Sequence, residues 1–320
     1  MRTILRIATV FFLMAVQAAL AQSYPVKPVK IIVPFAPGGS SDGSMRPIAE
    51  RLGAILGQNF IIENRPGGLA TIGANMVAKA EPDGYTLLLM PGAHVLTTRM
   101  MKSVPYHPIN DFTPVATLVF SPYVVTLANK QPFSTMKELV QYARANPEKL
   151  TIGNSDVVTW LAAELFSQAA NIKLTHVNYK GGGPVATDVV GGHLPLGMAS
   201  TVAVQGFLKD RKVIGLAVTS PKRISSMPDI PTVAEALGIG HFDSQTWYAL
   251  AGPAGMPRPI VDRIQRAVAQ ILTEPAIRER LALMGVEPAD DTTPESMAAL
   301  MRSFAQKNIA LMDAAKFQAE

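Results

Sequence analysis

The chain has 320 residues, 48% hydrophobic and 17% charged, long enough for about two domains whose cores need neither metal nor disulfide support. Its lack of cysteine excludes a disulfide scaffold, thiol catalysis, thiolate zinc and most iron–sulfur chemistry. The formal charge is +5, but Arg2 and Arg6 fall in an acid-free first 21 residues, leaving 27 basic against 24 acidic residues beyond them. These bases are scattered, with no run and no aromatic interleaving, so no nucleic acid is expected as a partner.

Arg2 and Arg6 precede an apolar stretch from Ile7 to Val16, and Ala19-Leu20-Ala21 follows. A basic start, an apolar middle and an A-x-A site make a secretory leader, residues 1–21, cleaved after Ala21. No apolar run of about 18 residues occurs beyond it, so an exported body in the periplasm is expected.

Strand-like runs follow at Val29–Val33, Phe60–Ile62, Tyr85–Met90, Val115–Val119 and Tyr123–Leu127. Between the first of them, Met45, Ile48, Ala49, Leu52, Ile55 and Leu56 recur at helical spacing, as do Ile72, Met76, Val77 and Ala80. The central third repeats the theme, with strands expected at Leu150–Ile152, Leu174–Val177, Leu196–Met198 and Val213–Val218. Thr135 and Glu138 have capping-box spacing there. A last strand, Trp247–Ala251, precedes helices carried by Ile260, Ile264, Val268 and Ile271, then by Ile277, Leu281 and Met284. Thr293-Pro294-Glu295 opens a final helix. Alternation of this kind predicts an α/β fold with parallel strands and helices on both faces, its domains joined by strand-like crossings.

Four glycine- or hydroxyl-rich loops follow strands. Val33 to Asp42 contains Gly38-Gly39-Ser40-Ser41-Asp42 before a helix, where backbone amides and the helix end favour an anion. It lacks the lysine of GxxxxGK[ST] and the third glycine of GxGxxG, so a small carboxylate suits it better than a nucleotide phosphate. Glu63 to Thr71 holds an equivalent place, Gly153 to Thr159 offers hydroxyls, and Tyr179 to Pro184 is flexible and basic. Each one alone is also explained by ordinary turn and capping chemistry. Ligands in open α/β sheets nevertheless sit at the carboxyl ends of strands, where all four lie. The five histidines have no metal-ligand spacing and no GxSxG elbow is present, so no metal, cofactor or catalytic residue is expected.

The chain resembles the periplasmic solute-binding proteins of the tripartite tricarboxylate transporter family, often called Bug receptors, over residues 24–310. The resemblance rests on Tyr24-Pro25 through Gly39, Glu63-Asn64-Arg65-Pro66-Gly67, Pro82-Asp83-Gly84-Tyr85 and Asp111-Phe112-Thr113-Pro114. It continues in Val177-Asn178-Tyr179-Lys180-Gly181, Ala217-Val218-Thr219-Ser220, Pro228 to Ala236 and Trp247. It implies a two-lobed periplasmic binding protein of type II, a Venus flytrap with the ligand cleft between lobes. Lobe one would be 24–127 plus 246–320, and lobe two 128–245. The implied ligand is a small organic acid, and the implied partners are membrane transporter subunits served by a monomer. Gly38, Gly39, Ser41 and Asp42 stand in the first binding loop, Ala70 and Thr71 in the second, Ser155 and Thr159 in the third. Phe35, Ser40, His94, Ala199 and Ser200 complete the candidate site.

Three departures from the family pattern stand out. Leu69 and Ala70 replace a glycine-rich run, Ser155-Asp156-Val157-Val158-Thr159-Trp160 replaces glycines around an Asn with a following His-Leu, and Ala199 replaces a common Asp. Loss of that acid disfavours an amino-acid ligand and favours a less polar or aromatic acid. Trp160 fits a core position and a pocket wall equally. Two other functions remain open: a ligand-sensing co-receptor for a membrane kinase, and an exported hydrolase using Ser41 or Ser155.

Overall fold

The computed structural model describes residues 24–38, 40–317 and 319. The expected leader and Gly39 lie outside the described residues, as does the Ser40 side chain.

In chain order the first half runs β1 (Val29–Val33), α1 (Ser40–Leu56), β2 (Phe60–Asn64), α2 (Thr71–Ala78), β3 (Thr86–Pro91), α3 (Thr97–Met100) and β4 (Phe112–Ala128). Next come α4 (Met136–Ala145), β5 (Thr151–Asn154), α5 (Val157–Ala170), β6 (Thr175–Asn178), α6 (Gly182–Gly191), β7 (Leu196–Ser200), α7 (Thr201–Lys209) and β8 (Val213–Val218). The chain ends with α8 (Val233–Leu237), β9 (Gln245–Pro253), α9 (Arg258–Thr273), α10 (Pro275–Leu283), β10 (Glu287–Pro288) and α11 (Pro294–Ala314). The expected capping box is present, Thr135 Oγ1 accepting from the Glu138 amide while the Glu138 carboxylate accepts from the Thr135 amide.

Two sheets result. In the first, β1 pairs in parallel with β2 and β3. In the second, β5 pairs in parallel with β6 and β7. The parallel strands expected from the alternation are present in both sheets, and the crossings add antiparallel pairs. β9 runs antiparallel to both β3 and β4, and β4 runs antiparallel to β7 and β8. Each sheet thus holds a reversed member next to the crossing: β9 in the first, and β4, which runs with β3 there, in the second.

Val115–Val119 and Tyr123–Leu127, expected as two strands, form one strand of 17 residues. At about 3.3 Å per residue it spans roughly 56 Å, enough to serve both sheets. Pro122 is its last residue beside β9, opposite Gln245, and Tyr123 is the first beside β7, opposite Ser200. Proline has no amide hydrogen to give a ladder, yet its φ suits extended backbone, so the strand changes partners there without ending.

Strand alternation builds a core on each face. Val29, Ile31, Val33, Leu87 and Leu89 pack against α1 and α9, whereas Ile32, Leu88 and Met90 pack on the other face with α11. The second sheet repeats this, Tyr123, Val125 and Leu127 facing Phe166 while Val124 and Ala128 face Val185 and Val189. Beyond the crossings, the loop after α10 ties the lobes together. Thr201 Oγ1 donates to the Gly285 carbonyl at 2.5 Å, and Ser225 donates its amide and hydroxyl to Glu287, both at 2.8 Å.

Phe166 is fully buried under the second sheet. Phe166→Ala is expected to lower the unfolding free energy by about 3–5 kcal/mol, read as a drop in the urea midpoint.

Candidate functional site

A cleft of about 890 Å³ opens between the lobes. Its floor is the crossing strands, with Ser121 and Tyr123 from β4 and Thr246 and Tyr248 from β9. The first lobe contributes Phe35, Leu69, Ala70 and His94; the second contributes the turns before α5 and α6 and Ser200.

Of the candidate residues, Phe35, Ala70, His94, Ser155 and Ser200 line this cleft. The first loop is organised differently from expectation. Gly38 is exposed at φ 86°, and its amide donates to Asp42 Oδ2 at 3.0 Å. Asp42, buried in the first turn of α1, also accepts from Arg46 Nε at 2.9 Å and Asn64 Nδ2 at 3.0 Å. Burial pushes its carboxyl up, and these hydrogen bonds outweigh that, holding its pKa below the usual carboxylate value. Asp42 is therefore a brace that fixes the loop to β2, and with Ser41 it lies off the cleft lining. Thr71 turns its hydroxyl to the Gly68 carbonyl at 2.6 Å. Ala199 is fully buried in the second lobe's core, because β7 alternation points it away while Ser200 reaches the opening.

Three helix starts face the cleft. Leu69 and Ala70 both have positive φ, 51° and 74°, and α2 begins directly after them with no side-chain cap. Such backbone in non-glycine residues is strained by about 1–3 kcal/mol each. The α6 start, at Gly181 with φ 109°, also lacks a side-chain cap, and Lys180 stands beside it. The third start, that of α5, is closed. Asp156 Oδ1 accepts from the Thr159 amide at 2.8 Å, and Thr159 Oγ1 accepts from the Asp156 amide at 3.0 Å. This box occupies Thr159 and leaves Ser155 on the lining.

His94 is almost fully buried among aromatic rings, stacked on Tyr106 at 5.3 Å and edge-on to Phe112 at 4.7 Å. Neither ring nitrogen makes a well-formed hydrogen bond among the described residues. Burial pulls its pKa down to about 4, weakly opposed by the Pro108 carbonyl, so it is neutral at pH 7.

Sequence reasoning missed the floor and the C-terminal wall. Thr246 and Tyr248 alternate with buried Trp247 and Ala249, so the period of two in β9 carried a signal for them. Ala315, Lys316 and Phe317 reach the cleft only through the tertiary fold and had no local signal. Trp160 lines the cleft and also flanks the core, combining both readings.

The fold and cleft define a two-lobed solute-binding receptor. A family model described as "Tripartite tricarboxylate transporter family receptor" matches residues 44–315, and the chain belongs to that family. Among its relatives is the Bordetella pertussis "Protein BugT", 31% identical over 280 residues, 86% of each chain. Among solved structures, "R. palustris Rpa4515 with adipate" superposes with a TM-score of 0.78 at 31% identity, covering 92% of this chain and 98% of that one. "MatC (Rpa3494) from Rhodopseudomonas palustris with bound malate" gives 0.73 at 29% identity, covering 90% and 99%.

Because the unfolded chain takes up the His94 proton near its ordinary pKa of 6.5, folded-state stability is retained above that value and falls as pH drops towards 4. The loss is about 3 kcal/mol by linkage. The difference in melting temperature between wild type and His94→Gln should therefore change across pH 6.5 to 4 and stay flat above pH 7.

Proposed function

We propose that this chain is a periplasmic receptor that captures a small organic carboxylate in its interlobe cleft and delivers it to the membrane subunits of a tripartite transporter. The observation that carries this reading is the pair of uncapped helix starts, α2 and α6, open to one cleft from opposite lobes. Neither start is closed by a side chain, and each brings the positive end of a helix dipole to the cleft. Phe35, Ala70, His94, Ser155 and Ser200 are the candidate residues assigned to the ligand, with Lys180 added. Adipate and malate in the related structures support a carboxylate.

A carboxylate taking two or three charge-assisted hydrogen bonds gains about 1.5–3 kcal/mol from each. Costs of ordering and lost ligand freedom are about 4 kcal/mol or more. A net near −8 kcal/mol gives a dissociation constant of about 1 μM, useful for capture. Since both lobes contact the ligand, binding favours the closed form, and that closed shape is what the membrane partner recognises.

The lobes are assigned as 24–127 with 246–320, and 128–245; residues 1–21 are a leader removed on export, and the receptor works as a monomer. It is a receptor and not an enzyme. The Ser155 hydroxyl bonds to Asp156 at 3.4 Å and Thr159 at 3.3 Å, and neither is a histidine base. Transport is favoured over kinase signalling by the family to which the chain belongs.

A thermal-shift screen of organic acids against neutral sugars and polyols tests the reading. At least one carboxylate should raise the melting temperature, and Lys180→Met should weaken that acid about tenfold, as loss of about 1.4 kcal/mol implies. A rise only with uncharged solutes would refute it.

A further inference from the structure

We infer that the cleft is built for a monocarboxylate carried on a flat aromatic ring, and not for an acid with a carboxylate at each end. This rests on the carboxylate-receptor reading above and narrows its ligand.

Three observations converge. The first is charge. Among the described residues, the charged side chains on the cleft lining are Lys180 and Lys316, opposed by Asp156, with His94 held neutral. The balance is one positive charge, which matches one carboxylate and leaves a second unneutralised. The second is the α5 start. In a two-ended acid the far carboxylate needs its own donors, and this helix end gives its Thr159 amide and hydroxyl to Asp156. A ligand carboxylate there would meet a fixed like charge. The third is what lies next to Asp156. Trp160, on the first turn of α5, faces Phe317, which follows α11, with ring centroids 5.5 Å apart and planes tilted by 56°. Trp160 also tilts against His176, at 5.5 Å and 47°.

This aromatic wall is held in place from both lobes. Arg99 donates from Nη2 to the Phe317 carbonyl at 2.9 Å and from Nε to Asp313 at 2.8 Å, fixing the segment beyond α11 to the first lobe. Tyr179 adds a third ring on the second lobe, its hydroxyl donating to Asp188 at 2.7 Å. Val157 and Val158 add apolar side chains to the same lining. Such a surface rewards a ring, because edge-to-face contact between aromatic quadrupoles adds to the burial of apolar area. A carboxylate at the α2 and α6 starts would direct the rest of its molecule towards this wall.

Calorimetric titration of the full chain distinguishes the outcomes, using benzoate and phenylacetate as ring acids, hexanoate as an aliphatic monoacid, and adipate and malate as diacids. A ring acid should bind at least tenfold more tightly than either diacid. Trp160→Ala should weaken the ring acid at least tenfold while changing hexanoate less than threefold. Trp160→Leu, which keeps an apolar side chain and guards against a folding defect, should show the same selective loss. Asp156→Asn, which can still cap α5, should strengthen adipate at least threefold. Tighter binding of adipate or malate than of any ring acid, or a ring preference unchanged in Trp160→Leu, would overturn the aromatic assignment alone. Failure of every acid to bind, with native melting behaviour intact, would overturn the carboxylate reading and this inference together.

Discussion

The continuity of β4 through Pro122 is the constraint on which the rest of the molecule depends. One strand gives its first part to β9 and its last part to β7 and β8, so each lobe is templated on a piece of backbone that the other also uses. That sharing sets the floor of the cleft. It brings Ser121 and Tyr123 against Thr246 and Tyr248 without any loop between the lobes. Register shifts along the pair, at Pro114/Ala116 and Thr117/Val119, add local twist to the crossing.

Much of this was legible in the residues. The bounds of β1 and β8 follow directly from their apolar runs, and the capping box at Thr135 and Glu138 announces α4. The partner change at Pro122 was not legible, since proline ordinarily signals a strand end and only the neighbouring β9 shows that the backbone stays extended. The site was legible in part for the same reason. Ser155 and Ser200 sit at strand ends, where position alone suggests a ligand. Asp42 and Ala199 depend on which way a side chain turns, and that is decided by Arg46 and Asn64 in one case and by strand alternation in the other. Phe317 depends on Arg99, more than two hundred residues away in the chain, and no local pattern can report such a contact.

The three helix starts around the cleft also show how one physical device can be used in two senses. At α2 and α6 the absence of a side-chain cap leaves donors for a guest, and at α2 that arrangement requires left-handed backbone at Leu69 and Ala70. At α5 the protein supplies its own carboxylate, Asp156, and the neighbouring surface becomes aromatic. One cleft lining thus carries both open helix ends and aromatic rings.

The tie between the Gly285–Glu287 segment and the second lobe has a mechanical meaning of its own. β10 pairs with β4 at Val119 and Phe120, on the flank away from β9, so the junction extends sideways across three adjacent pieces of chain. A broad seam of this kind bends about its own line and resists torsion, much as a door hung on a long hinge swings without racking. For the receptor proposed above, such a seam confines any approach of the two halves to one coordinate, the swing about that line.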